Sequence, residues 1–536
     1  MVKKQGNRMA AKGAKQEIKS VWMVTREYEG LAGAGGVKDV SRQLAEALVR
    51  AGCSVTVVMP LYGFIDPRKH GFKQLDGETL SIDMDYVGKE RRETAFFWER
   101  RLQKVRVLLV DAERFRNKQG VYTYTAAEEA ANPFHLRGNG HFDYFAMNVL
   151  LQKASLDLML ALNSRPDLIH CHDGHAALLP VMIREKEGYR PFFKKTGLVV
   201  TIHNAGRGYH QDVGDLPFAA AICGLSERLI AANLLEGNFD PLLAASSYAL
   251  LNTVSENYAR ELQETDDDEL TGGLGHALAD RKVVLHGVTN GIDPAMYDPR
   301  HPKKLGIAGA YNPATGDLAG KKKCRRDLVK VLANKPKEVK CSGSLSLRPD
   351  VPLYAFVGRL TAQKGVDKLL DALEIILPLD PDFQVLVLGS GDKDIENRLV
   401  RLAARKKYQG RICVLRGYGQ HLASKIYAAS DFFVIPSRYE PCGLTDFIAQ
   451  LYGSIPIVHH VGGLVKVRDG VTGFAYRDHS SAALMGTIQK AMQLFRKSPK
   501  TIQAMQRAAV EEIEAKYTWD TVVQRYFQLY EESRRM

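Results

Sequence analysis

The sequence predicts an α/β protein that folds into two doubly wound parallel-sheet domains facing each other across a deep cleft. Its 536 residues exceed what one hydrophobic core usually holds, so at least two domains are expected. In both halves, short apolar segments alternate with amphipathic helical segments, which is the pattern of a parallel sheet covered by helices on both faces. The alternation loosens near residues 295–305 and then restarts, so we place the junction between the domains there.

The first half opens with a strand–loop–helix–strand unit. Residues 21–25 form an apolar strand, a glycine-rich loop runs from 30 to 39, a helix covers 40–51, and residues 54–60 form the next strand. The glycines do not follow the G-x-G-x-x-G spacing, so they are a weak indication of a dinucleotide. Two interpretations are open: a backbone packed close to the phosphate or sugar of a ligand, or a tight turn with a purely structural role.

Three later strands of the first half end in polar residues. The first apolar segment is followed by His170 to His175, and the second by His203-Asn204. The third, residues 249–255, itself ends in Asn-Thr-Val-Ser. In open parallel sheets, ligands bind outside the carboxyl ends of the strands. We therefore expect the first domain's part of the site there. A further strand over 105–111, a long polar loop over 120–142 and a helix over 144–162 complete the pattern.

The segment His170-Cys-His-Asp-Gly-His175 invites a metal interpretation. A site like that of the metallo-β-lactamases places the aspartate immediately before the last histidine, whereas here Gly174 stands between Asp173 and His175. The rest of the chain offers no obvious further ligand set. We therefore expect no metal and a cluster that faces a sugar or the reacting atoms. The alternative is a purely structural role, in which the histidines pack in the core or cap an element.

The second half repeats the strand–helix alternation. Strands are predicted near 352–358, 384–389, 411–415, 431–436 and 455–459, and helices near 365–377, 394–407, 421–429, 443–453 and 481–496. Before them, the basic cluster 321–326 is interpreted as a solvated helix face. A last helix near 518–535 lies beyond this pattern, and we expect it to cross back to the first domain.

Two segments of the second half carry the chemistry of an anion site. Gly358-Arg359-Leu-Thr-Ala-Gln-Lys364-Gly365 follows a strand and opens a helix, so that a guanidinium fork and a mobile ammonium can grip a diphosphate. The turn from Pro436 to Thr445 also joins a strand to a helix start, where free N–H groups and the helix dipole favour an anion. Its carboxylate, Glu440, suits a ligand that carries hydroxyls as well as negative charge, such as a nucleotide sugar.

Composition restricts the class of partner. The formal net charge is +13 and the sequence pI about 9.2, which favours anionic ligands. No nucleic-acid-binding motif of the usual kinds is present, and no apolar run approaches the roughly 18 residues of a membrane span. Seven dispersed cysteines without a C-x-x-C pair indicate reduced thiols in the cytoplasm. We expect no nucleic-acid and no membrane partner.

These observations give a division of the chain. Residues 1–17 are polar and lysine-rich, without the apolar core of a secretory signal. The predicted parts are a flexible basic tail over 1–17, a Rossmann-like domain over 18–297, a second Rossmann-like domain over 298–516, and a returning C-terminal helix over 517–536.

Seven motifs taken together resemble bacterial glycogen (starch) synthase, a family of retaining glycosyltransferases with the GT-B architecture. The resemblance covers about residues 20–530. The motifs are Glu440-Pro-Cys-Gly-Leu-Thr, Gly358-Arg-Leu-Thr-Ala-Gln-Lys-Gly, His172-Asp-x-His175, Thr201-Ile-His-Asn204, Val254-Ser-x-x-Tyr258-Ala, Asn290-Gly-Ile-Asp and Pro456-x-Val-x-x-x-Gly462-Gly-Leu. It implies transfer of glucose, with retention, from ADP-glucose or UDP-glucose to the non-reducing end of an α-1,4-glucan, without a cofactor.

The resemblance also implies that 18–297 is the acceptor and catalytic domain and 298–516 the nucleotide-sugar donor domain, and it implies roles for individual residues. The implied catalytic group is Glu440, His203, Asp173, Arg359 and Lys364. The implied donor-binding group is Gly35, Gly36, Lys38, Asp39, Asn204, Arg359, Lys364, Tyr418, Glu440, Cys442, Gly443, Leu444 and Thr445.

Two positions depart from the family pattern. The family's N-terminal motif Lys-Thr-Gly-Gly-Leu-Gly-Asp-Val corresponds here to the run from Gly33 to Val40, so the lysine is replaced by Gly33 and a lysine stands instead at position 38. A His-Asp-Trp-His pattern has become His-Asp-Gly174-His. A related retaining transferase with a small acceptor, and a glucan-binding homologue without turnover, are therefore the alternatives.

Overall fold

The computed structural model of the protein describes residues 18–536, and the predicted tail over 1–17 lies outside the described residues. Two large sheets form the framework, as the sequence predicts. Apolar side chains pack around the first sheet in one continuous core, and separate apolar clusters lie on either face of the second. No helix among residues 18–536 is long and apolar enough to cross a membrane.

The first sheet has nine strands in the order β11-β10-β7-β6-β1-β2-β5-β4-β3. A small separate hairpin is formed by β8 and β9. The strands of the first half are β1 Ser20–Val24, β2 Ser54–Pro60, β3 Lys73–Asp83, β4 Arg92–Leu102, β5 Val105–Asp111, β6 Leu168–His172, β7 Gly197–Ile202, β8 Leu234–Leu235, β9 Asn238–Phe239, β10 Leu250–Thr253 and β11 His286–Gly287.

Ten helices accompany this sheet along residues 18–287. They are α1 Val37–Arg50, α2 Glu113–Arg116, α3 Ala126–Ala131, α4 Tyr144–Ala161, α5 Leu178–Glu185, α6 Leu216–Cys223, α7 Glu227–Ala231, α8 Pro241–Ala245, α9 Glu256–Glu264 and α10 Leu274–Asp280.

The second sheet has seven strands in the order β12-β15-β14-β13-β16-β17-β18. Its strands are β12 Val339–Leu345, β13 Leu353–Val357, β14 Gln384–Gly389, β15 Arg411–Gly417, β16 Phe432–Ile435, β17 Ile455–His459 and β18 Phe474–Tyr476. Its helices and the C-terminal helices are α11 Pro302–Leu305, α12 Ala319–Ala333, α13 Val366–Leu379, α14 Lys393–Ala403, α15 Gln420–Ala429, α16 Thr445–Leu451, α17 Ser481–Lys497, α18 Pro499–Lys516 and α19 Trp519–Ser533.

Central strands are buried along their whole length and mostly apolar because helices cover both faces of each sheet. Every residue of β7 and of β14 is buried, and both strands pair in parallel on both sides. Such strands are the ones that the apolar segments of the sequence predict best.

The sequence does not predict two parts of the sheets. The β3–β4 hairpin extends the first sheet in antiparallel pairing, and β12 pairs antiparallel with β15 at the edge of the second. Most residues of β3 and β12 are exposed or half-buried and many are polar, so the alternation of apolar residues that marks a strand is missing.

The basic cluster 321–326 is not a solvated face throughout. Lys321 and Arg325 are buried on α12. Lys321 donates to three backbone carbonyls at the ends of α15 and α16, and Arg325 donates to the Ala429 carbonyl and pairs with Asp431. Burial lowers the pKa of Lys321 to about 7. The solvated interpretation is therefore wrong for these two residues, because carbonyl groups at helix ends need donors.

The last helix packs against the first sheet. In α19, the Trp519 indole donates to Gln43 on α1 at 2.7 Å, and the Tyr530 hydroxyl lies 2.9 Å from Nδ1 of His170. A Cβ at Gly291 would lie 2.7 Å from the Trp519 ring, so only glycine fits beneath the indole. The C-terminal residues thus stabilise the sheet that carries the histidine cluster.

Trp519→Ala should lower the stability of the protein markedly. The indole is buried and its N–H is bonded, so its removal leaves a cavity and an unpaired Gln43; we expect a loss of about 3–5 kcal/mol in the free energy of unfolding. Thermal and urea unfolding measure this loss. Phe134→Ala, which truncates an aromatic ring that is 89% exposed, is the control. Equal unfolding midpoints for the two variants would contradict the prediction.

Candidate active site

A network of buried histidines lies at the carboxyl ends of β6 and β7. His170 lies 2.6 Å from the Thr201 hydroxyl, and Nδ1 of His172 lies 2.8 Å from Nε2 of His203. Burial lowers the pKa of His170 and of His203 to about 3. At neutral pH these imidazoles are therefore uncharged. Both ring nitrogens of His170 are bonded within the core, so His203 is the one of the two that can bond to a hydroxyl group without repelling a cationic centre.

Asp173 holds the end of this network in place. Its carboxylate accepts the backbone N–H of His203 at 2.6 Å, and its own φ of 57° lies in the left-handed region. Burial raises the pKa of Asp173 to about 8, with the charge of Glu27 adding to the rise, although the N–H of His203 acts against it. Asp173 is therefore mostly a neutral carboxylic acid at pH 7.

Asp173→Asn should flatten the pH dependence of stability. The Asp173 carboxyl titrates near 3.8 when unfolded and near 8 when folded, so its stabilising contribution is complete below pH 4 and is lost as pH rises through 8. Asparagine keeps an acceptor for the His203 N–H and tolerates a positive φ. Between pH 5.5 and 8.5 we expect the wild type to lose about 1–3 kcal/mol more than the variant.

The measurement is thermal unfolding at several pH values in buffers of constant ionic strength. Asp76→Asn removes an exposed carboxylate from β3 and is the matched control. Parallel pH profiles for wild type and Asp173→Asn would show that Asp173 does not titrate in this range.

Two loops of the second sheet pack tightly together at the carboxyl ends of β13 and β16. A Cβ at Gly365 would lie 1.8 Å from the Pro436 carbonyl, and the φ of this glycine is +66°. The Arg438 N–H donates to the Gln363 carbonyl at 2.8 Å. Glycine is therefore required at the start of α13, and the Arg359–Gly365 segment is fixed against the turn that carries Glu440.

Lys364 and Glu440 meet where these loops join. Nζ of Lys364 lies 2.6 Å from Oε2 of Glu440, which also accepts the Ser437 hydroxyl at 3.0 Å. Burial works to raise the pKa of Glu440, but the charge and hydrogen bond of Lys364 outweigh it, and the pKa is lowered. The sequence analysis named both residues, and the structure brings them into direct contact.

Arg359 and Tyr418 are the most accessible of the predicted site residues in the second half. Within residues 18–536, the guanidinium of Arg359 makes one long hydrogen bond of 3.4 Å, to Gln363. The Tyr418 side chain is 73% exposed. Both side chains are available to a ligand.

The start of α16 is organised by a buried lysine that the sequence analysis did not single out. Lys466 donates to the carbonyls of Cys442, Gly443 and Gly463 and pairs with Asp446 at 3.1 Å. The carbonyl groups before the helix are thus turned toward Lys466. No local sequence signal marks Lys466, because three of its four partners, Cys442, Gly443 and Asp446, lie 20 to 24 residues earlier.

Side chains of the first domain bond directly to the Glu440 turn and to the glycines behind it. The Ser255 hydroxyl donates to the Pro441 carbonyl at 2.6 Å. Asn257 donates to the Gly462 carbonyl at 3.1 Å, and both carboxylate oxygens of Glu261 accept the Gly462 N–H at 3.0 Å. The start of α9 therefore fixes one wall of the cleft relative to the other.

The predicted residue Asn204 also reaches the second domain. Its side chain lies near the hydroxyl of Tyr439, the neighbour of Glu440. Asn204 thus connects the histidine-bearing edge of the first sheet with the turn that holds the Lys364–Glu440 pair.

The glycine-rich loop is held by a carboxylate from the protein itself. Oε2 of Glu27 accepts the N–H groups of Ala34 and Gly35 at 2.7 and 3.1 Å, and its Oε1 accepts the hydroxyl of Tyr122 at 2.7 Å. Glu27 is buried. This residue was not predicted from the sequence, although it lies only three residues before the loop begins at Gly30.

The packing of the chain does not require glycine at positions 35 and 36. Neither has a positive φ, a Cβ at Gly35 would meet nothing within 4 Å, and one at Gly36 would make an ordinary contact of 3.7 Å with Leu444. The purely structural interpretation of this part of the loop therefore has no support from sterics. Close approach of a ligand stays the prediction for these two glycines.

The two departures from the family pattern have different structural settings. Lys38 pairs with Asp39 at 2.7 Å, so its positive charge is partly neutralised by its neighbour. A Cβ at Gly174 would lie 2.0 Å from the His210 carbonyl, so no larger residue fits this backbone. The close approach of the two backbone segments therefore accounts for glycine at position 174.

Asn290 belongs to one of the sequence motifs; it is buried, and its Oδ1 has no hydrogen-bond partner among residues 18–536. Its backbone lies near the thiol of Cys442. The motif Asn290-Gly-Ile-Asp was noted in the sequence, but no role was assigned to Asn290.

Within the described part of the chain, no group of three or more His, Cys, Asp or Glu side chains is placed to hold a metal ion.

Comparisons with known proteins decide the family. The starch synthase catalytic domain model matches residues 20–280, and the model of glycosyl transferases group 1 matches residues 342–508. The glycogen synthase of Geotalea uraniireducens is 32% identical over 523 residues, which are 95% of this chain and 98% of the relative. This chain belongs to the glycogen synthase family.

Other members and a solved structure agree with this result. The glycogen synthase of Lacticaseibacillus casei is 31% identical over 89% of this chain and 92% of its own length. The catalytic domain of starch synthase IV from Arabidopsis thaliana superposes with a TM-score of 0.77 at 24% identity, over 97% of this chain and 100% of that domain. The predicted GT-B fold class and the predicted family are confirmed. As a glycogen synthase, the chain is a glycosyltransferase that adds glucosyl units to a glucan.

Proposed function

We propose that this glycogen synthase uses ADP-glucose in preference to UDP-glucose and extends the non-reducing end of an α-1,4-glucan with retention of configuration. The observation that carries the proposal is the Lys364–Glu440 pair beside the accessible Arg359, joined through Tyr439 and Asn204 to a wall of neutral imidazoles. The preference for adenine is supported by the matched starch synthase, which was solved with ADP and acarbose.

The proposed roles divide between the two walls. Arg359 and Lys364 bind the donor diphosphate, together with the N–H groups from Gly443 to Thr445 at the start of α16. Tyr418 lies beside the base, and Gly35, Gly36 and Lys38 border the donor from the opposite side. Asp39 holds Lys38, and Cys442 shapes the turn.

The sugar is held between Glu440 and the first domain. Glu440 accepts hydroxyl groups of the donor and orients Lys364. His203 and Asp173 line the glucose side of the cleft, where an uncharged imidazole and a carboxylic acid bind hydroxyls without a net charge. Positive charge is thus concentrated on the side that receives the leaving group.

The reaction follows from this distribution of charge. As the C1–O bond to the diphosphate breaks, negative charge grows on the phosphate and positive charge on the sugar ring. Arg359 and Lys364 stabilise the former. We propose that the leaving phosphate oxygen accepts the proton of the glucan hydroxyl, which then attacks C1 from the same face, so that configuration is retained without a covalent enzyme intermediate.

A second candidate is a glucan-binding homologue with reduced turnover. It is favoured by Gly33, which removes the family's lysine, and by the Lys38–Asp39 pair, which neutralises part of the substitute charge. The other alternative from the sequence, a related retaining transferase with a small acceptor, has no structural feature in its favour. The seven dispersed free cysteines support a cytoplasmic setting.

The decisive experiment is incubation with labelled ADP-glucose and UDP-glucose in parallel, with glycogen as the acceptor. Incorporation mainly from ADP-glucose is expected. Incorporation mainly from UDP-glucose would overturn the donor assignment. Binding to glycogen without incorporation from either donor would favour the second candidate.

A further inference from the structure

The imidazole of His172 lies between those of His170 and His203. Its ring centre is 4.5 Å from that of His170 and 5.1 Å from that of His203, and both neighbouring rings are within 25° of parallel to it. Both nitrogens of His170 are bonded elsewhere, to Tyr530 and Thr201. Among residues 18–536, the His172 ring makes one hydrogen bond, of 2.8 Å from Nδ1 to Nε2 of His203. The roles proposed above do not include His172.

The other ring nitrogen of His172 shows which way this bond runs. Nε2 is shut off from solvent and has no hydrogen-bond partner within the described chain. Burial, with the charges of the neighbouring histidines, holds the pKa of His172 well below its usual range, so the ring is neutral and carries one proton. A proton on Nε2 would leave an enclosed N–H without an acceptor, which is rarer in proteins than an acceptor without a donor. The proton therefore belongs on Nδ1, which donates to Nε2 of His203.

This direction decides where His203 carries its own proton. Its Nε2 accepts from His172, and burial lowers the pKa of His203 to about 3, so the neutral ring is protonated on Nδ1. Nδ1 of His203 makes no hydrogen bond within residues 18–536 and, unlike Nε2 of His172, is not shut off from solvent. The backbone N–H of His203 is held separately, by Asp173 at 2.6 Å. The Nδ1–H group is therefore the part of His203 that remains for a ligand.

We propose that His172 is a positioning residue, which fixes His203 in its Nδ1–H form so that His203 offers a hydrogen-bond donor to the glucose of the nucleotide sugar. The proposal rests on the proposed function, in which His203 lines the glucose side of the cleft. An N–H in this place binds a hydroxyl oxygen of the sugar.

The same arrangement bears on the proton of the glucan hydroxyl. With one ring nitrogen protonated and the other accepting from His172, His203 has no free lone pair. It therefore does not compete with the leaving phosphate oxygen for that proton, and the proton transfer proposed above keeps a single acceptor.

The test compares two substitutions of nearly equal size. His172→Asn keeps an N–H that can donate to Nε2 of His203, whereas His172→Leu keeps the bulk without a polar group. In steady-state kinetics, His172→Asn should keep most of the activity, and His172→Leu should lose about 10²-fold in kcat with a smaller change in the donor KM. A histidine that merely fills the core would give the opposite order, because leucine is the better buried residue.

The protonated nitrogen of His203 is measured independently of activity. Nitrogen-15 NMR of the histidine-labelled full chain distinguishes protonated from unprotonated ring nitrogens, and His203→Gln identifies the His203 signals by their loss. In the wild type and in His172→Asn, His203 should carry its proton on Nδ1, and in His172→Leu this form should lose population. A wild-type His203 protonated on Nε2 would overturn the proposal, even in an active enzyme. A wild type that is inactive but protonated on Nδ1 would support the positioning by His172 and count against the proposed function instead.

The matched control is the same pair of substitutions at His141. This histidine is also buried in the first domain, and neither of its ring nitrogens has a hydrogen-bond partner in the range 18–536. His141→Asn and His141→Leu should therefore transfer glucose at equal rates. Equal rates for His172→Asn and His172→Leu would show that the bond to His203 is not needed and would overturn the positioning role. If either His172 variant fails to fold, the wild-type spectrum still decides the tautomer.

Discussion

Glu440→Gln is expected to reduce glucosyl transfer by about 10²–10³-fold while the protein stays folded. The substitution keeps the shape of the side chain but removes the charge that holds Lys364 at 2.6 Å. Lys364 is then free to adopt other rotamers, and the sugar hydroxyls lose a charged acceptor. Both losses are felt most when charge develops in the transition state, so kcat should fall more than the donor KM rises.

Steady-state kinetics with glycogen and each nucleotide sugar measure this effect. The stability cost should be about 1–3 kcal/mol, since one charged hydrogen-bonded pair is lost. Glu512→Gln is the matched control. Glu512 lies on α18, outside the loops that carry Lys364 and Glu440, and it pairs with Lys516 and with Arg468. A Glu440→Gln enzyme with wild-type kcat would exclude Glu440 from the catalytic group.

Arg359→Ala should produce a loss of similar size, about 10²–10³-fold in kcat/KM, with almost no change in stability. The side chain is exposed and, in the described range 18–536, its guanidinium makes only a long contact with Gln363, so we expect the folded protein not to depend on it. A bound diphosphate would receive a bidentate pair of hydrogen bonds from it. Arg359→Lys keeps the charge without the planar fork and should recover part of the activity.

Arg401→Ala is the control, because Arg401 is an exposed arginine on α14 of the same domain. Inhibition by ADP gives a second measurement: the inhibition constant should rise with Arg359→Ala and stay constant with Arg401→Ala. If Arg359→Ala bound ADP and transferred glucose like the wild type, the diphosphate would have to lie elsewhere.

The parts of the fold that the sequence predicts are those whose cause is local. The strands β7 and β14 are continuous apolar runs because both of their faces are buried, and this requirement is visible in any short window. The β3–β4 hairpin is exposed and polar, so its strand character comes from pairing with β5 rather than from its own pattern. Lys321 illustrates the same limit, because a lysine among lysines gives no sign that three distant carbonyls will surround it.

The candidate site shows a similar division. Lys364 and Glu440 were found because each stands in a strand–turn–helix motif, and their 2.6 Å contact follows from the packing of Gly365 on Pro436. Glu27 was missed because a carboxylate near a glycine-rich loop has no recognisable spacing, although it bonds to the loop N–H groups. The roles assigned to these residues stay predictions until the substitutions are made.

The bonds between α9 and the Glu440 turn join the two walls of the cleft through backbone groups of the second domain. Ser255, Asn257 and Glu261 bond to the backbone of Pro441 and Gly462. If the domains separate to release a product, these bonds exchange their partners for water. Under the proposed roles, substitution of these three side chains would then alter the residence time of the nucleotide and leave the residues proposed to bind its phosphates unchanged.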